Sequence, residues 1–346
     1  MKTDSPPRLS VIDALSSGLD QARRRSWLIL FPFLLDLALW LAPRLSPAPL
    51  VQRFMQAWDL LVQNAYTPDQ LLAIEPMMRQ LHEHADLLSG QANLFDGIAG
   101  GWLGAPSLLA TGQITRLSFV SDLVLGQVSL AGFPQRALPL EIHTFGGLLL
   151  ATIGLWLIGQ AILALYLRLA GKFTQPADYE GPKRSFLGLM VRLAVFSIVI
   201  AIAVGILESL LSLALALVNL SGNSPLSILA LMFAGVVLWL TLWFLLALFF
   251  ANEGMVLEGR PVLRSMLQSI RLVNGHLGSA LGLIGVINLL MYGFRVIWGL
   301  IAVTPAGAVA AILGNAYLST SMLLAAFAFF GSLRKATVTA QAKAVN

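Results

Sequence analysis

The chain has 346 residues, of which 57% are hydrophobic and 11% are charged, whereas soluble domains carry about 25% charged residues. This composition indicates a membrane protein. It argues against a nucleic-acid-binding protein, because the formal net charge of +5 has a topological explanation in a membrane protein. The chain has no cysteine, which excludes disulfide frameworks, thiolate metal sites and thiol catalysis.

The first predicted element is an amphipathic helix within residues 1–26, in the sequence "SVIDALSSGLDQARRRSW". Ser10 and Asp13 have the spacing of a capping box. An apolar stripe predicts that this helix lies in the headgroup layer of the cytoplasmic leaflet. The arginines that follow the stripe are expected to contact anionic lipid headgroups. The stripe consists of Ile12, Leu15, Leu19 and Ala22, and the arginines are Arg23, Arg24 and Arg25.

Six segments have the mostly apolar character that a membrane-spanning helix of about 20 residues needs, although the first is short. Lysines and arginines concentrate around the two termini and in the connections that share their side of the membrane. The positive-inside rule therefore places both termini, including the tail 334–346, in the cytoplasm, and the protein in the cell (inner or plasma) membrane. The predicted fold is all-α and polytopic, with 27–42 as the first transmembrane helix and 145–333 as a five-helix membrane bundle. The six segments are 27–42, Phe145–Leu167, Phe186–Leu210, Leu226–Ala251, Leu277–Val303 and Ala306–Phe330.

Residues 43–144 form a predicted extracytoplasmic segment that is mainly helical from Pro49 to Gly90. After it, "NLFDGIAGGWLGAPSLLATGQ" is apolar but interrupted by glycines, so we expect it to dock against the bundle. The pattern from Ile114 to Ile142 fits both short strands and loop.

One short sequence in this segment, "LHEHADLL", contains residue types that bind metal ions. On a helix, however, His82 and His84 point about 200 degrees apart and cannot share one ion. We therefore predict a solvated helix surface and no metal site.

A second predicted interfacial helix, residues 261–274, connects the fourth and fifth spans in "GRPVLRSMLQSIRLVNG". Arg264 and Arg271 lie opposite an apolar stripe, Arg260 precedes them, and all three are expected to contact anionic headgroups. "EGPKRSFLGLMVRLAVF", before the third span, resembles a weaker third copy, which would make three helical-hairpin units. For this copy we prefer the simpler interpretation, an ordinary basic connection on the inner leaflet. The stripe of residues 261–274 consists of Leu263, Met266, Leu267, Ile270 and Val273.

The N-terminal "ALSSGLDQARRRSWLILFPFLLDL", together with "RLVNG" and the glycine-rich span after it, resembles a group of poorly characterised six-helix bacterial membrane proteins. These are related to the membrane domain of glycerophosphoryl diester phosphodiesterases and to the YciC type. The resemblance implies a membrane-embedded helical domain of unassigned activity. The catalytic barrel of the larger phosphodiesterases has no counterpart here, so no catalytic residue is carried over.

Polar residues inside predicted spans are functional candidates, because their burial in lipid is unfavourable. Counted from the cytoplasmic helix ends, Asp36 lies about 15 Å deep, Arg295 about 27 Å and Glu208 about 31 Å. These depths favour a Glu208–Arg295 pair and argue against an Asp36–Arg295 pair. Asn288, Tyr292 and Arg295 share one helix face, which should point into the bundle or a hydrated cavity. The pair either locks two helices together or serves transport.

The sequence carries no phosphate-binding glycine loop, no serine–histidine–acid signature and no paired intramembrane carboxylates. We therefore predict a non-enzymatic integral membrane protein without a cofactor, a structural or accessory envelope component that contacts anionic lipid on the cytoplasmic side. The alternative is a transporter or lipid-handling permease with a polar cavity around Arg295. A third possibility is a subunit of a larger complex, which would show a broad apolar patch on the outer segment.

Overall fold

The computed structural model describes residues 9–99, 106–110, 117, 119, 139–174, 185–221 and 224–345, and helices dominate these residues. Two 3₁₀ helices, Ser26–Ile29 and Leu94–Ala99, and two short strands, β1 (Leu45–Ser46) and β2 (Leu140–Glu141), accompany the α-helices. The α-helices are α1 (Val11–Arg24), α2 (Leu30–Leu41), α3 (Ala48–Ala65), α4 (Pro68–Gln91), α5 (Phe145–Thr174), α6 (Phe186–Ser221), α7 (Pro225–Ala247), α8 (Val262–Gly275), α9 (Leu277–Ile301) and α10 (Pro305–Val345).

Among these described residues, 5 helical stretches are long and apolar enough to cross a membrane. Each overlaps one of the spans predicted from Phe145 onward, so the multi-pass helical character expected from the sequence is confirmed. The last helix does not end with the predicted span at Phe330 but continues through the predicted tail to Val345. The five stretches are Phe145–Thr174, Phe186–Val218, Pro225–Glu258, Leu277–Ile301 and Pro305–Lys335.

The predicted first span, residues 27–42, is a shorter apolar helix, Ser26–Leu41, formed by the 3₁₀ turn and α2. Pro32 lies in the first turn of α2, where a missing N–H leaves no intrahelical hydrogen bond unmade. Pro43 follows the last turn and cannot continue the helix. This length is below the usual span, so the first crossing stays a prediction.

Helix α10 is the centre of the bundle. In the most apolar 18-residue stretch of this helix, 78% of the residues are buried, compared with 22–39% in the corresponding stretches of the other four candidate spans. It packs on α1, α2, α5 and α9. The hydroxyl of Tyr166 donates to Thr320 Oγ1 at 2.9 Å and joins α5 to this central helix.

Helix α1 begins at the predicted capping box, which is confirmed by the reciprocal bonds of Ser10 and Asp13. It packs on α10 through its smallest residues, Ala14, Gly18 and Ala22. A Cβ atom on Gly18 would lie 2.3 Å from the carbonyl oxygen of Ser321, so only glycine permits this approach. Of the predicted apolar stripe, Ile12 and Leu19 are exposed on the protein surface.

We call the end of the bundle where α5 ends and α9 begins the elbow side, and the opposite end the far side. On the far side, β1 pairs in parallel with β2, and α3 packs on α4. Arg53 of α3 donates to the carbonyl oxygen of His143, two residues before α5 begins. Phe54, Trp58 and Leu61 of α3 are exposed on one face, which is the kind of apolar patch expected for a subunit of a complex or for a helix on a membrane surface.

The glycine-interrupted segment docks on the bundle, as expected, in its described parts. The 3₁₀ helix Leu94–Ala99 packs on α5, where a Cβ atom on Gly159 would lie 2.3 Å from the carbonyl oxygen of Ile98. Leu108 and Leu109 are buried in a small core with α2 and α10. Most of the region from Ile114 to Ile142, and residues 180–184 of the weaker third basic copy, lie outside the described residues.

Candidate anion-binding site at the interfacial helix

A sharp reversal of the chain positions helix α8 on the elbow side. After α7, a helical turn (Ala251–Glu253) and a π-helical turn (Gly254–Glu258) lead to Gly259, whose φ of 56° is left-handed. This conformation favours glycine, because an L side chain would be strained there. Arg192 of α6 fixes the reversal by donating from Nη1 to the carbonyl oxygen of Gly259 at 2.7 Å.

Ser269 fixes α8 against the end of α7. Ser269 donates to the carbonyl oxygen of Ala247 at 2.7 Å and accepts from the N–H of Phe250 at 3.1 Å. Ser265 and Ser269 lie on the buried face with Val273, whereas Leu263 and Leu267 are exposed beside the arginines. The predicted apolar stripe is therefore divided between the bundle and the outer surface.

The carboxylate of Glu258 organises the basic residues around α8. Its side chain is only 5% exposed. It accepts hydrogen bonds from Arg260 Nε and from Gln268 Nε2 at 2.9 Å, and it forms an ion pair with Arg334, whose Nε lies 3.0 Å away. Since Arg334 belongs to α10, this ion cluster fastens α8 to the central helix.

A pocket of about 590 Å³ opens beside this cluster. Its walls carry four arginines and one carboxylate, so with neutral histidine its net charge is positive. Among the described residues, Arg264 and Arg271 form no ion pair, and both are exposed. Planar guanidinium groups bind phosphate oxygens in a bidentate manner, so this pocket can hold a phosphate-bearing anion. The lining consists of Glu258, Arg260, Arg264, Leu267, Gln268, Arg271, Leu272, Gly275, His276 and Arg334.

The three predicted headgroup arginines of α8 thus share one pocket, whereas those of the first helix lie elsewhere. Arg25 stacks on Phe173 at the end of α5, with its guanidinium carbon 3.8 Å from the ring centroid. Arg23 lies 3.9 Å from Asp20 in an exposed pair, and Arg24 is exposed.

The intramembrane candidate Asp36 lies in a separate, fully buried cluster toward the far side. It accepts from the Ser107 hydroxyl, from the N–H of Leu108 at 3.0 and 2.9 Å to its two oxygens, and from the N–H of Leu109 at 3.3 Å. The charge of Arg295 also acts on this carboxylate. Asp36 therefore joins α2 to the docked segment and lies close to α9.

The described residues form neither the predicted Glu208–Arg295 ion pair nor an Asp36–Arg295 ion pair. Glu208 is exposed on α6 and forms no ion pair with Arg295. The depths predicted from the sequence were misleading, because they assumed that all spans begin at the same level on the cytoplasmic side. Counted from the far helix ends, Leu41 and Ile301, Asp36 lies about 7.5 Å and Arg295 about 9 Å deep, which brings them to the same level.

The other two candidates share a helix with Arg295. Asn288 is buried and its side chain donates to the carbonyl oxygen of Ile284 at 2.9 Å, while Tyr292 is half-buried. Neither the pocket beside α8 nor the apolar groove described below is lined by these two residues or by Arg295.

Sequence reasoning missed two functional contributors. Arg334 was assigned to the tail, and only its packing next to Glu258 brings it into the pocket. Ser107 lies 71 residues from Asp36 along the chain, and no spacing pattern relates positions so far apart. Within the described residues, no group of three or more histidine, aspartate or glutamate side chains is placed to hold a metal ion.

The five long apolar helices indicate a helical, multi-pass membrane protein. Comparisons of the chain with protein-family models, curated proteins and solved structures give no match. The resemblance to six-helix bacterial membrane proteins stays a prediction.

Proposed function

We propose that the protein is a non-enzymatic structural or accessory component of the cell membrane that holds anionic lipid headgroups at the pocket beside α8. The observation that carries this proposal is the clustering of Arg260, Arg264, Arg271 and Arg334 in one pocket next to an amphipathic helix. Basic residues near a membrane surface attract anionic lipids with about 1 kcal/mol each.

The four arginines of the pocket differ in their ion pairing, and this difference supports the proposal. Arg260 and Arg334 are neutralised in part by Glu258, so they hold the pocket in shape. Arg264 and Arg271 lie seven residues apart on α8 and carry charge that no carboxylate of the described residues balances. A lipid phosphate would be the counter-ion that these two residues lack.

The proposal includes the six-span topology, with the elbow side and both termini in the cytoplasm. The basic residues of α1, α8 and the end of α10 support this orientation, since they meet at one end of the bundle. Exposed Leu263 and Leu267 next to the arginines support an interfacial position for α8.

A binding measurement tests the proposal. The purified protein in a mild detergent is titrated with phosphatidylglycerol or with phosphatidylcholine of the same chains, and bound lipids are counted by native mass spectrometry. We expect Arg264→Gln and Arg271→Gln each to weaken phosphatidylglycerol binding about fivefold, which corresponds to about 1 kcal/mol per charge. Arg79→Gln, an exposed arginine of far-side helix α4, is the matched control and should leave binding unchanged.

Two results would count against the proposal. Equal binding of both lipids would show that the headgroup charge has no role in binding. Full displacement of the lipid by millimolar inorganic phosphate would instead identify the pocket as a site for a soluble anion. Tag accessibility on intact cells tests the orientation separately, and exposure of the C-terminal tail outside the cell would overturn it.

A further inference from the structure

A long apolar groove runs between α2 and α5. It has a volume of about 550 Å³, and its exposed lining is almost wholly apolar. One wall is a continuous face of the first apolar helix from Trp27 to Ala42, and α5 supplies the opposite wall. The groove is lined by Trp27, Leu30, Phe31, Leu34, Leu35, Ala38, Leu39, Ala42, Phe95, Ile98, Ile158, Ile162 and Leu165.

The dimensions of the groove fit one acyl chain. From Trp27 to Ala42 the helix rises about 22 Å, whereas half of a bilayer's hydrocarbon core is about 15 Å thick. A single extended hydrocarbon chain of one leaflet can therefore lie along the groove, with its headgroup at the membrane surface.

Aromatic residues close the elbow-side end of the groove. The rings of Trp27 and Phe173 meet edge to face with centroids 5.6 Å apart. Phe31 continues this contact toward Tyr166 of α5. Tryptophan is typical of the membrane–water interface, so this end of the groove lies where a headgroup would begin.

Positive charge surrounds the same end. Arg25 lies over Phe173, and the exposed Arg23 and Arg24 precede it on α1. On the other wall, Lys172 is exposed and follows Leu165 by seven residues, so it continues the α5 face that lines the groove. An anionic headgroup would therefore meet cations from both walls.

We infer that this groove is a lipid-binding site: one acyl chain lies along α2, and its anionic headgroup contacts Arg24 and Lys172. This site is separate from the pocket beside α8 and names a second position for the lipid in the proposed function. It explains why the first apolar helix, although short, presents a whole face to an open space and does not pack directly along α5.

Native mass spectrometry with added phosphatidylglycerol tests this inference. Ala38→Trp places a large side chain in the groove, and Ala201→Trp, on the exposed surface of α6, is the matched control. We expect wild type and Ala201→Trp to retain a tightly bound lipid that Ala38→Trp binds at least tenfold more weakly. The double variant Arg24→Gln/Lys172→Gln should weaken phosphatidylglycerol binding about 25-fold, from about fivefold per charge, and leave phosphatidylcholine binding unchanged.

Several outcomes would overturn the inference. Unchanged lipid retention by Ala38→Trp shows that the groove holds no lipid, and equal loss of both lipids from the charge variant shows that the headgroup is not recognised. If Ala38→Trp fails to fold, Ile162→Trp fills the groove from its other wall. Arg264→Gln distinguishes this site from the pocket beside α8, because it should remove a different lipid and leave the groove occupied.

Discussion

The buried carboxylate of Asp36 gives the sharpest test of how the far-side segment is held on the bundle. Asp36→Ala removes the acceptor for the Ser107 hydroxyl and for the N–H groups of Leu108 and Leu109. A hydrogen bond to a charged group contributes about 1.5–3 kcal/mol, and an unsatisfied buried N–H costs about 1–3 kcal/mol. The charge of Arg295 would also lose the carboxylate on which it acts. We therefore expect a loss of about 3–5 kcal/mol in the free energy of unfolding.

The assay is equilibrium unfolding in mixed micelles of a mild detergent and dodecyl sulfate, followed by tryptophan fluorescence. Ser107→Ala and the double variant complete a mutant cycle. Besides donating to Asp36, Ser107 Oγ accepts from the N–H of Leu109 at 3.2 Å and of Ala110 at 3.0 Å. The two side chains should thus act as a unit, with a coupling energy of about 0.5–3 kcal/mol.

Ser209→Ala is the matched control, because among the described residues this exposed serine of α6 bonds to the carbonyl oxygen of Gly205 alone. Its effect should stay within about 0.5 kcal/mol. If Asp36→Ala costs less than about 1 kcal/mol, the carboxylate does not hold the segment. If its effect and that of Ser107→Ala simply add, the two side chains do not act as a unit. Glu208→Ala and Arg295→Ala should be additive, since no ion pair joins them.

Three further changes test other parts of the structure. Gly18→Val should destabilise the fold by about 1–3 kcal/mol through overpacking on α10. Gly205→Ala should not, because a Cβ atom at this position meets nothing within 4 Å. Equal effects of the two changes in thermal unfolding would refute the close packing of α1 on α10. Bonds to the carbonyl oxygen of Met78 and to Asp59 raise the pKa of His82, so its contribution to stability is present below a pH of about 6.5 and is lost as pH rises through the raised pKa. The advantage of wild type over His82→Gln in thermal unfolding should therefore be larger at pH 5.5 than at pH 8.5, and the reverse trend would contradict this pairing. Glu258→Gln should lower the melting temperature, because two ion pairs are lost. It should also strengthen phosphatidylglycerol binding, because the pocket loses the one carboxylate in its lining. If a folded Glu258→Gln protein instead binds this lipid more weakly, the main effect of Glu258 is to position the arginines and not to repel the lipid.

Local sequence patterns predicted the long helices and grouped three of the four arginines of the α8 pocket. Apolar runs predicted the five long helices, since each run alone has the length that a bilayer requires. Arg260, Arg264 and Arg271 were grouped correctly because they are neighbours on one helix or its N-terminal turn, where spacing decides which residues share a face.

Contacts between distant parts of the chain could not be obtained in this way. The pairing of Asp36 with the Ser107 segment depends on how a glycine-rich stretch docks, and no periodicity describes such a stretch. The position of Arg295 depends on where each helix begins relative to its neighbours. That level is set by packing, so a depth counted from one end of each helix predicted an ion pair between Arg295 and Glu208 that the described residues do not form.

Helices α1 and α8 show which kind of residue faces the bundle. In α1 the bundle is met by Ala14, Gly18 and Ala22, and in α8 by a face that includes Ser265 and Ser269, while the larger Ile12, Leu19, Leu263 and Leu267 stay exposed. Helices in lipid gain little from hydrophobic contact with each other, because the lipid is equally apolar, so small residues that permit close approach decide the protein-facing side. The predicted apolar stripe of each helix is therefore divided, with Ala22 and Val273 buried against the bundle and the four larger residues on the outer side. Had α1 and α8 been interpreted from their small residues, their contacts with the bundle would have followed from the sequence.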